Sequence, residues 1–337
     1  MSSLTVPDSE YRAVTEGCGL VDRSERGKLA LTGADAKTFL QGQVSNDVEA
    51  LSPGTGCYAA FLTPKGKMLG DVRILDAGLQ PVARSASGLA GSGDAEVVQL
   101  ILLDTERVAL QELFNMVRRF SVGYAVELHK RTLERGLLSL LGPGAEAVAG
   151  VVELGAAEDA HVVADIDGIT VRAIRTDLGI DLLCDAEDTE ALTAALMGRG
   201  CVRASEAVAE CVRVEHGRPR YGVDLDDSVI PQEADLNDRA VSFTKGCYVG
   251  QETVARLFYR GKPNRQLRGL RLSAPVPSGA EITFGERVVG RLGSVAESPA
   301  LGPIALALVR REAPPGSDVV VGADQVEAVI VELPFAA

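Results

Sequence analysis

The sequence predicts an α+β protein in which two mixed subdomains precede a C-terminal β-barrel. Up to about residue 260, short apolar strands alternate with segments whose apolar residues recur at helical spacing. From Gln266 onward the helical spacing disappears, and short alternating strands follow one another with Gly or Pro turns about every ten residues. We therefore expect two interleaved subdomains, over roughly 1–135 and 136–260, and a barrel over 261–337.

The first subdomain is expected to open with a strand at KLALTG and a helix whose apolar residues begin at Ala36. The segment CYAAFLTPKGKMLGDVRIL predicts a hairpin, because the turn Pro64–Gly66 separates two apolar strands. Residues 77–95 are rich in Gly, Ala and Ser and predict an exposed, mobile loop. After the strand VVQLILL we expect a helix with Asp104 or Thr105 as its N-cap, because the following apolar residues recur at helical spacing.

The second subdomain is expected to continue in the same way. SLLGPGAEAVAG predicts a strand, a tight turn and a short helix, and ITVRAIRTDLGIDLLCD predicts two strands. Helices are predicted over 188–198, ending at Gly198 or Gly200, and over about 205–216, ending before Pro219.

The composition permits two or three domains with proper cores, since the chain has 337 residues, of which 46% are hydrophobic. Its formal net charge of -13 argues against a general nucleic-acid or membrane-surface binder. No apolar run reaches the roughly 20 residues of a membrane span, and the start MSSLTVPDSEYR is too polar for a secretory signal. We therefore expect a cytoplasmic protein without membrane contact.

The cysteines and histidines predict no metal site. The six cysteines contain no CxxC pair, and the three histidines lie far apart and near no cysteine pair. In a chain without a secretory signal, such cysteines are expected to be reduced and buried. We expect this of every cysteine except Cys247.

The segment KGCYVGQE, residues 245–252, concentrates groups that can do chemistry. Two glycines bracket Cys247, so the backbone can pass close to a ligand or turn sharply. Lys245 lies two residues before Cys247 and would lower the pKa of the thiol by favouring the thiolate. Gln251 and Glu252 add polar groups to the same short turn. The spacing alone leaves open a turn with a structural cysteine.

The same segment resembles the K-G-C-[FY]-x-G-Q-E signature of the YgfZ family, a string that is unusually specific for its length. Two nearby segments, VRVEHGRPRYGVD and IPQEADL, are similar to that family's arginine–acid–glycine–proline run and the P-x-E segment after it. Upstream, RGKLALTGADAKTFLQGQVSNDV and LTPKGKMLGDVRIL resemble the folate-binding domain of aminomethyltransferases. The segment VPSGAEITFGERVVGRLGSVAESPALGPIALALVRRE resembles the C-terminal barrel of that superfamily, so the resemblance covers nearly the whole chain.

The resemblance implies that residues 1–260 enclose a channel that binds tetrahydrofolate or a folate derivative, with the barrel packed alongside. A pterin ring presents a ring N–H beside an exocyclic amine, a pair of donors that one carboxylate accepts side by side. Asp177 takes the acidic position of the T-protein stretch T-G-E-x-G-F-E, and a solvated carboxylate at a strand end is the alternative. Arg213 matches the family's arginine. It would pair with the glutamate tail of folate or brace Asp177, and a structural ion pair is the alternative.

Asp71 is the candidate catalytic acid and a candidate folate ligand. T-proteins usually carry two adjacent acids where this chain has Gly70 and Asp71. The catalytic acid of an aminomethyltransferase polarises the folate around its reactive nitrogen. The glycine therefore puts transferase chemistry in doubt, even if folate binding survives.

The function that the resemblance implies is that of an accessory protein. It would bind tetrahydrofolate and support the assembly or repair of iron–sulfur enzymes, including those that modify transfer RNA. Cys247 would be the reactive residue, tuned by Lys245. The site around Cys247 would be shaped by Gln251, Glu252 and Arg256. A folate-dependent aminomethyl- or methyltransferase is the alternative function.

The stretch ARLFYRGKPNRQLR, residues 255–268, carries five cations, two aromatic residues and no acid. Such a run is expected to be locally positive even in an acidic protein. It would receive the polyglutamate tail of folate, an RNA backbone or an acidic partner protein, and a solvated linker into the barrel is the alternative. An RNA-binding module is therefore a second alternative function.

Overall fold

A computed structural model describes residues 6–81 and 97–335 of the chain. These residues form two β-sheets and a closed β-barrel, which confirms the predicted α+β fold with a C-terminal barrel. Besides a short 3-10 helix at Ala186–Asp188, the helices are α1 (Asp8–Glu16), α2 (Ala36–Gln43), α3 (Leu110–Phe120), α4 (Ala145–Ala149), α5 (Thr189–Gly198), α6 (Glu206–Glu215), α7 (Asn237–Ala240) and α8 (Gln251–Arg260).

The described strands fall into three groups along the chain, one for each sheet and one for the barrel, with a single strand out of place. The strands are β1 (Gly19–Asp22), β2 (Gly27–Thr32), β3 (Gly56–Leu62), β4 (Met68–Pro81), β5 (Val97–Thr105), β6 (Glu127–Lys130), β7 (Arg135–Leu141), β8 (His161–Ile166), β9 (Ile169–Arg175), β10 (Gly179–Asp185), β11 (Val202–Arg203), β12 (Arg265–Leu272), β13 (Glu281–Phe284), β14 (Arg287–Ser298), β15 (Gly302–Arg310), β16 (Asp318–Val321) and β17 (Val326–Val331).

The five-stranded sheet is antiparallel, in the order β3-β4-β5-β2-β6. Phe39 of α2 and Leu113 of α3 share its buried core with Phe61 of β3. The predicted hairpin is confirmed, because β3 and β4 pair across a tight turn. Gly66 in this turn has a φ of +75°, a left-handed conformation that glycine adopts without a steric cost.

The six-stranded sheet has the order β11-β1-β7-β10-β9-β8. β1 is the strand out of place: it comes from the start of the chain and lies between β7 and β11. Helices α4 and α5 contribute Val148 and Leu192 to the core of this sheet. The six-stranded sheet therefore does not correspond to one continuous range of the chain, whereas the five-stranded sheet consists of the consecutive strands β2–β6.

The segment after α6 returns to the five-stranded sheet. Tyr221, Leu236, Tyr248 and Val254 are buried in the core of that sheet. The last part of the range 136–260, which the sequence assigned to the second subdomain, therefore packs on the first. This return places the Cys247 motif beside the β3–β4 hairpin.

The barrel is closed by β12, which pairs with both β15 and β17. Apolar side chains from successive strands fill its interior, among them Leu270, Ile282, Val321 and Ile330. This is the arrangement that period-2 alternation predicts for a small barrel. Among the described helices, none is long and apolar enough to cross a membrane.

The start of α3 differs from the prediction. The helix begins at Leu110, because Asp104 and Thr105 are the last residues of β5. Asp104 is held in the strand by ion pairs with Arg26 at 2.8 Å and with Arg73 at 2.6 Å. These contacts outweigh its local preference for a helix N-cap.

The loop predicted over 77–95 is also corrected in part. Residues 77–81 continue β4, and Pro81 lies opposite Val97 of β5. The ladder between the two strands therefore extends into the range predicted as loop. Residues 82–95 lie outside the described part of the chain.

Candidate functional site

A cavity of about 190 Å³, here called the central cavity, lies where the two sheets meet the segment that follows α6. Asp71 lines it from β4, Asp177 from the connection between β9 and β10, and Arg213 from α6. The structure thus brings together three residues that the sequence singled out, although they are far apart along the chain.

The carboxyl group of Asp71 is almost completely buried. Tyr58 Oη, on the neighbouring strand, donates a hydrogen bond to Asp71 Oδ2 at 2.6 Å. Burial raises the pKa of Asp71 to about 6, although the hydrogen bond from Tyr58 and the charge of Arg26 lower it. A carboxyl group with this pKa takes up or releases a proton close to neutral pH, as general acid–base chemistry requires.

Gly70, the neighbour of Asp71, does not face the central cavity. A Cβ atom at position 70 would lie 3.0 Å from Ala109 Cβ and 3.0 Å from Leu113 Cδ1, on the side of α3. Successive residues of a strand point to opposite faces, so an acid here would be directed into the core. The argument that Gly70 weakens transferase chemistry is therefore corrected: the glycine allows α3 to pack and leaves the cavity wall unchanged.

Asp177 pairs with Arg218 rather than with Arg213. Arg218 Nε donates to Asp177 Oδ2 at 2.7 Å. The side chains of Arg218 and Asp177 are 34% and 27% exposed, so this ion pair lies towards the mouth of the cavity. The prediction that Arg213 braces Asp177 is therefore wrong: Arg218, five residues after Arg213, forms this ion pair.

Arg213 joins α6 to the barrel. Its guanidinium group contacts Glu210 at 2.8 Å, Asp224 at 3.1 Å and Ser294 of β14 at 2.5 Å. Burial alone would lower the pKa of Arg213, but the charges of Glu210 and Asp224 raise it. Of the alternatives that the sequence left open for Arg213, the structure shows the structural ion pair.

Asp159 is a cavity residue that no sequence motif indicates. It precedes β8, has a φ of +63° and is almost completely buried. Among the described residues, none forms a hydrogen bond or an ion pair with its carboxyl group. Burial raises the pKa of Asp159 to about 7, although the charge of Arg73 lowers it. The central cavity therefore contains a second acid whose oxygen atoms are available to a ligand.

Buried ion pairs form the inner wall of the central cavity. Arg73 contacts Asp104 at 2.6 Å and Asp181 at 2.7 Å, and thereby links the two sheets. Burial alone would raise the pKa of Asp104, but Arg26 and Arg73 hold it below its usual value. These ion pairs fix the shape of the wall.

Besides Arg73 Nε, two polar atoms of the wall have no hydrogen-bond partner in the described protein. Arg239 Nε and Thr176 Oγ1 are buried without a hydrogen bond, and both residues line the central cavity. The guanidinium group of Arg239 also lies 5.1 Å from the centre of the Tyr58 ring. Buried polar groups are nearly always hydrogen-bonded in folded proteins, so these two favour a polar ligand in the cavity.

Lys245 is buried at the end of α2. Its Nζ donates to the backbone carbonyl oxygens of Gln41, Val44 and Asn46 at 2.7, 2.8 and 2.7 Å. Burial lowers the pKa of Lys245 to about 8. The predicted tuning of Cys247 is therefore corrected: Lys245 anchors α2, and its described contacts do not include the thiol.

The remainder of the motif leads into α8. Gly250 has a φ of +87°, and a Cβ atom there would lie 2.6 Å from the carbonyl oxygen of Thr63, so this approach to the β3–β4 turn requires glycine. Cys247 is exposed. The other predicted site residues of this segment lie on α8, outside the central cavity: Gln251, Glu252 and Arg256. The structure thus divides the predicted residues between two sites.

The exposed residues Cys247, Arg256, Phe258, Tyr259 and Arg260 are here called the α8 surface. The ring of Phe258 stacks on that of Phe243, with 3.8 Å between the ring centres, and Tyr259 packs edge-on against Phe258. Among the described residues, no acid forms an ion pair with Arg256 or Arg260. The α8 surface therefore combines a thiol, aromatic rings and unpaired positive charge.

The predicted basic run over 255–268 is positive only in its first part. Arg265 pairs with Glu233 at 2.9 Å, and Arg268 pairs with Glu332 at 3.0 Å. The run consists of the end of α8 and the start of β12, with only residues 261–264 between them. The predicted linker into the barrel is therefore confined to residues 261–264, and the unpaired cations among the described residues of the run are those on and just after α8.

Two family models match the chain. Residues 4–245 match the GCVT N-terminal domain, and residues 265–336 match the glycine cleavage T-protein C-terminal barrel domain. The first range contains all the residues of the central cavity named above. Residues 246–264, with Cys247 and α8, lie between the two matched ranges.

Individual relatives agree with these matches. A chloroplastic protein of Arabidopsis thaliana, provisionally named a transferase, is 27% identical over 98% of this chain and 74% of its own length. An aminomethyltransferase of Deinococcus deserti is 29% identical over 92% of this chain and 82% of its own length. The crystal structure of the glycine cleavage system aminomethyltransferase T from Bartonella henselae covers 97% of this chain and 89% of its own, with a TM-score of 0.82 and 22% identity, which shows a common fold.

Proposed function

The chain belongs to the glycine cleavage T-protein family, and from this we propose that it binds a tetrahydrofolate in the central cavity and serves iron–sulfur enzymes through the α8 surface. Membership confirms the resemblance to the aminomethyltransferase superfamily, while the YgfZ-type role is part of the proposal. The observation that carries it is the separation of the two sites. Cys247 and α8 form an exposed surface outside the cavity and between the two ranges that the family models match.

The groups of the central cavity suit a folate. Asp71 and Asp159 offer carboxyl oxygens to the ring N–H and the exocyclic amine of a pterin. Thr176 Oγ1 has no partner in the described protein and would gain one. Arg218, partly exposed beside Asp177 at the cavity mouth, would meet the carboxylates of the glutamate tail. When bound, tetrahydrofolate would supply a nitrogen atom that carries a one-carbon unit.

The α8 surface suits a protein partner with acidic groups. Aromatic and arginine side chains contribute most strongly to protein interfaces, and this surface presents both types. Arg256 and Arg260, which lack acidic partners in the described chain, would find them on the partner. The resemblance of KGCYVGQE to the YgfZ signature supports iron–sulfur enzymes as these partners, including those that modify transfer RNA. The cytoplasm stays the proposed location.

A folate-dependent one-carbon transferase is the second candidate function, and the geometry of Asp71 favours it. Asp71 is buried beside Tyr58, and its pKa is raised to about 6. Position 70 faces α3, so the glycine found there in place of a second acid leaves the groups of the cavity unchanged. The names of the bacterial relatives are consistent with this candidate.

The proposal is tested in cells that lack this protein and carry one of two variants. We expect Cys247→Ala to lower the activity of iron–sulfur enzymes, although the purified variant binds tetrahydrofolate like the wild type. Cys57→Ala is the matched control, because Cys57 lies in β3 away from α8. Full iron–sulfur enzyme activity with Cys247→Ala would show that the proposed role of the α8 surface is wrong. Sustained methylene transfer from a lipoyl carrier protein to tetrahydrofolate would establish the second candidate instead.

A further inference from the structure

A second cavity, of about 280 Å³, lies between the two sheets. Arg73 and Asp104 line both this cavity and the central cavity, so their ion pair separates the two spaces. Most of the second cavity is apolar, with side chains from both sheets. They include Leu75, Leu102, Leu137, Ile174 and Leu183.

Cationic side chains surround the second cavity: Lys28, Arg131, Arg135 and Arg172. Lys28 donates to two backbone carbonyl oxygens, and Arg131 and Arg135 each pair with an acid at the surface. Asp104, an acid in the same wall, is already paired with Arg73. The electrostatic balance of the cavity is therefore positive.

Arg172 differs from the other three cations because, among the described residues, its side chain has neither an acid nor a backbone carbonyl oxygen as a partner. Its Nη1 lies 2.9 Å from His161 Nδ1. Burial and the charge of Arg172 lower the pKa of His161 to about 4, so the imidazole is neutral near pH 7 and its Nδ1 accepts the hydrogen bond. Burial and the charge of Arg135 also lower the pKa of Arg172. The guanidinium group is thus partly desolvated, repelled by Arg135 and left with donors for an anion.

We propose that the second cavity binds a small amphipathic carboxylate, with its anionic head on Arg172 and its apolar chain between the two sheets. An anion beside Arg172 and Arg135 would relieve the repulsion between them. An apolar chain fits the leucine-lined walls, which offer water few hydrogen bonds. The ligand enters beside Val163, which is 54% exposed, and Arg135, whose side chain is 45% exposed. This site is independent of folate binding and of the α8 surface.

Decanoate is the probe, measured by calorimetric titration of the full chain. We expect it to bind the wild type, and we expect decylammonium, which has the same chain and the opposite charge, not to bind. Arg172→Gln should weaken the binding of decanoate by about tenfold or more, because a charged hydrogen-bond donor is lost. Arg172→Lys keeps the positive charge and should keep most of the affinity. Arg287→Gln is the matched control, since Arg287 lies in the barrel with its side chain 81% exposed.

Equal binding of decanoate and decylammonium to the wild type would overturn the proposal even if Arg172→Gln does not fold. Absence of decanoate binding to the wild type, or unchanged affinity in a folded Arg172→Gln variant, would overturn it as well. Tetrahydrofolate is titrated into the same variant. Retained tetrahydrofolate binding together with lost decanoate binding supports a separate second site, and failure of folate binding in the wild type leaves the decanoate result unaffected.

Discussion

Tyr58 Oη lies 2.6 Å from Asp71 Oδ2 and donates a hydrogen bond to it inside the central cavity. The contact runs diagonally across the β3–β4 hairpin, because Asp71 lies opposite Ala60 and Tyr58 lies opposite Arg73. The hydrogen bond favours the ionised carboxylate, which burial disfavours. Tyr58 therefore helps to determine the proton affinity of the acid to which both candidate functions assign folate contact.

Removing this hydrogen bond is expected to change the pKa of Asp71. Tyr58→Phe should raise the pKa of Asp71 above about 6, because the hydrogen bond that lowers this pKa is lost while the burial that raises it remains. The measurement is an NMR titration of the Asp71 side-chain carboxyl group. Tyr259→Phe, at an exposed position on α8, is the control and should leave it unchanged. An unshifted Asp71 pKa in Tyr58→Phe would contradict the proposed role of Tyr58.

The stability of the protein is expected to depend on pH through Asp71. Its pKa in the folded state, about 6, lies above the value of about 3.9 for an unfolded chain, so its stabilising contribution is complete below about pH 4 and is lost as pH rises through about 6. The Asp71→Asn variant has no ionisable group at this position, so its stability does not decrease for this reason as the pH rises. Relative to the wild type, the variant should therefore gain on the order of 2 kcal/mol in free energy of unfolding between pH 4 and pH 8. Urea denaturation of both proteins at both pH values measures this gain. If the free energies of unfolding of Asp71→Asn and the wild type differ by the same amount at pH 4 and pH 8, the pKa of Asp71 is not raised.

Lys245 is expected to matter for stability rather than for the reactivity of Cys247. Lys245→Met should lower the free energy of unfolding by about 2–3 kcal/mol, because three backbone carbonyl oxygens lose the donor that the buried ammonium group supplies. The alkylation rate of Cys247 in the folded variant should stay within about twofold of the wild type, since the ammonium group is engaged elsewhere. Lys262→Met, at an exposed position, serves as control. A clearly slower alkylation of Cys247 in Lys245→Met would show that Lys245 does increase the reactivity of the Cys247 thiol.

The α8 surface is expected to bind acidic partners through Arg256 and Arg260. Reversing both to glutamate should weaken binding to a purified iron–sulfur enzyme by about tenfold or more, because attraction becomes repulsion. Arg287→Glu in the barrel is the control. Affinities for the iron–sulfur enzyme and for RNA, each measured at two salt concentrations, distinguish a protein partner from RNA. A steep salt dependence of RNA affinity, abolished by the same reversal, would favour the RNA-binding alternative.

The strands and the barrel were predictable because their signals are local. Period-2 alternation and Gly or Pro turns mark the predicted strands within a few residues, as at the hairpin turn Pro64–Gly66. The start of α3 was not predictable in this way. Asp104 is a good N-cap by local chemistry, but Arg26 and Arg73 from other strands hold it in β5. Tertiary contacts of this kind override local preference.

The site was predictable only where its residues belong to a motif. Asp71 and Asp177 lie in segments that resemble T-proteins, and both line the cavity. Asp159 carries no such signal, because its burial depends on how the loop before β8 packs. Arg213 and Arg218 lie in one run, and which of them meets Asp177 depends on where α6 ends.

The direction of a side chain within a turn was also beyond the sequence. Lys245 and Cys247 are two residues apart, which suggested that the ammonium group acts on the thiol. In the folded chain the lysine is buried against α2 and the cysteine is exposed. Spacing along an irregular segment does not determine which side chains meet, whereas the periods of helices and strands do.

The central claim is that folate binds in the central cavity and that Cys247 belongs to a different site. Calorimetric titration with tetrahydrofolate tests it most directly, on the wild type, Asp71→Asn and Cys247→Ser. The account predicts a dissociation constant in about the micromolar range for the wild type and for Cys247→Ser, and an affinity at least about tenfold weaker for Asp71→Asn. No binding by the wild type, or a loss in Cys247→Ser with none in Asp71→Asn, would contradict it.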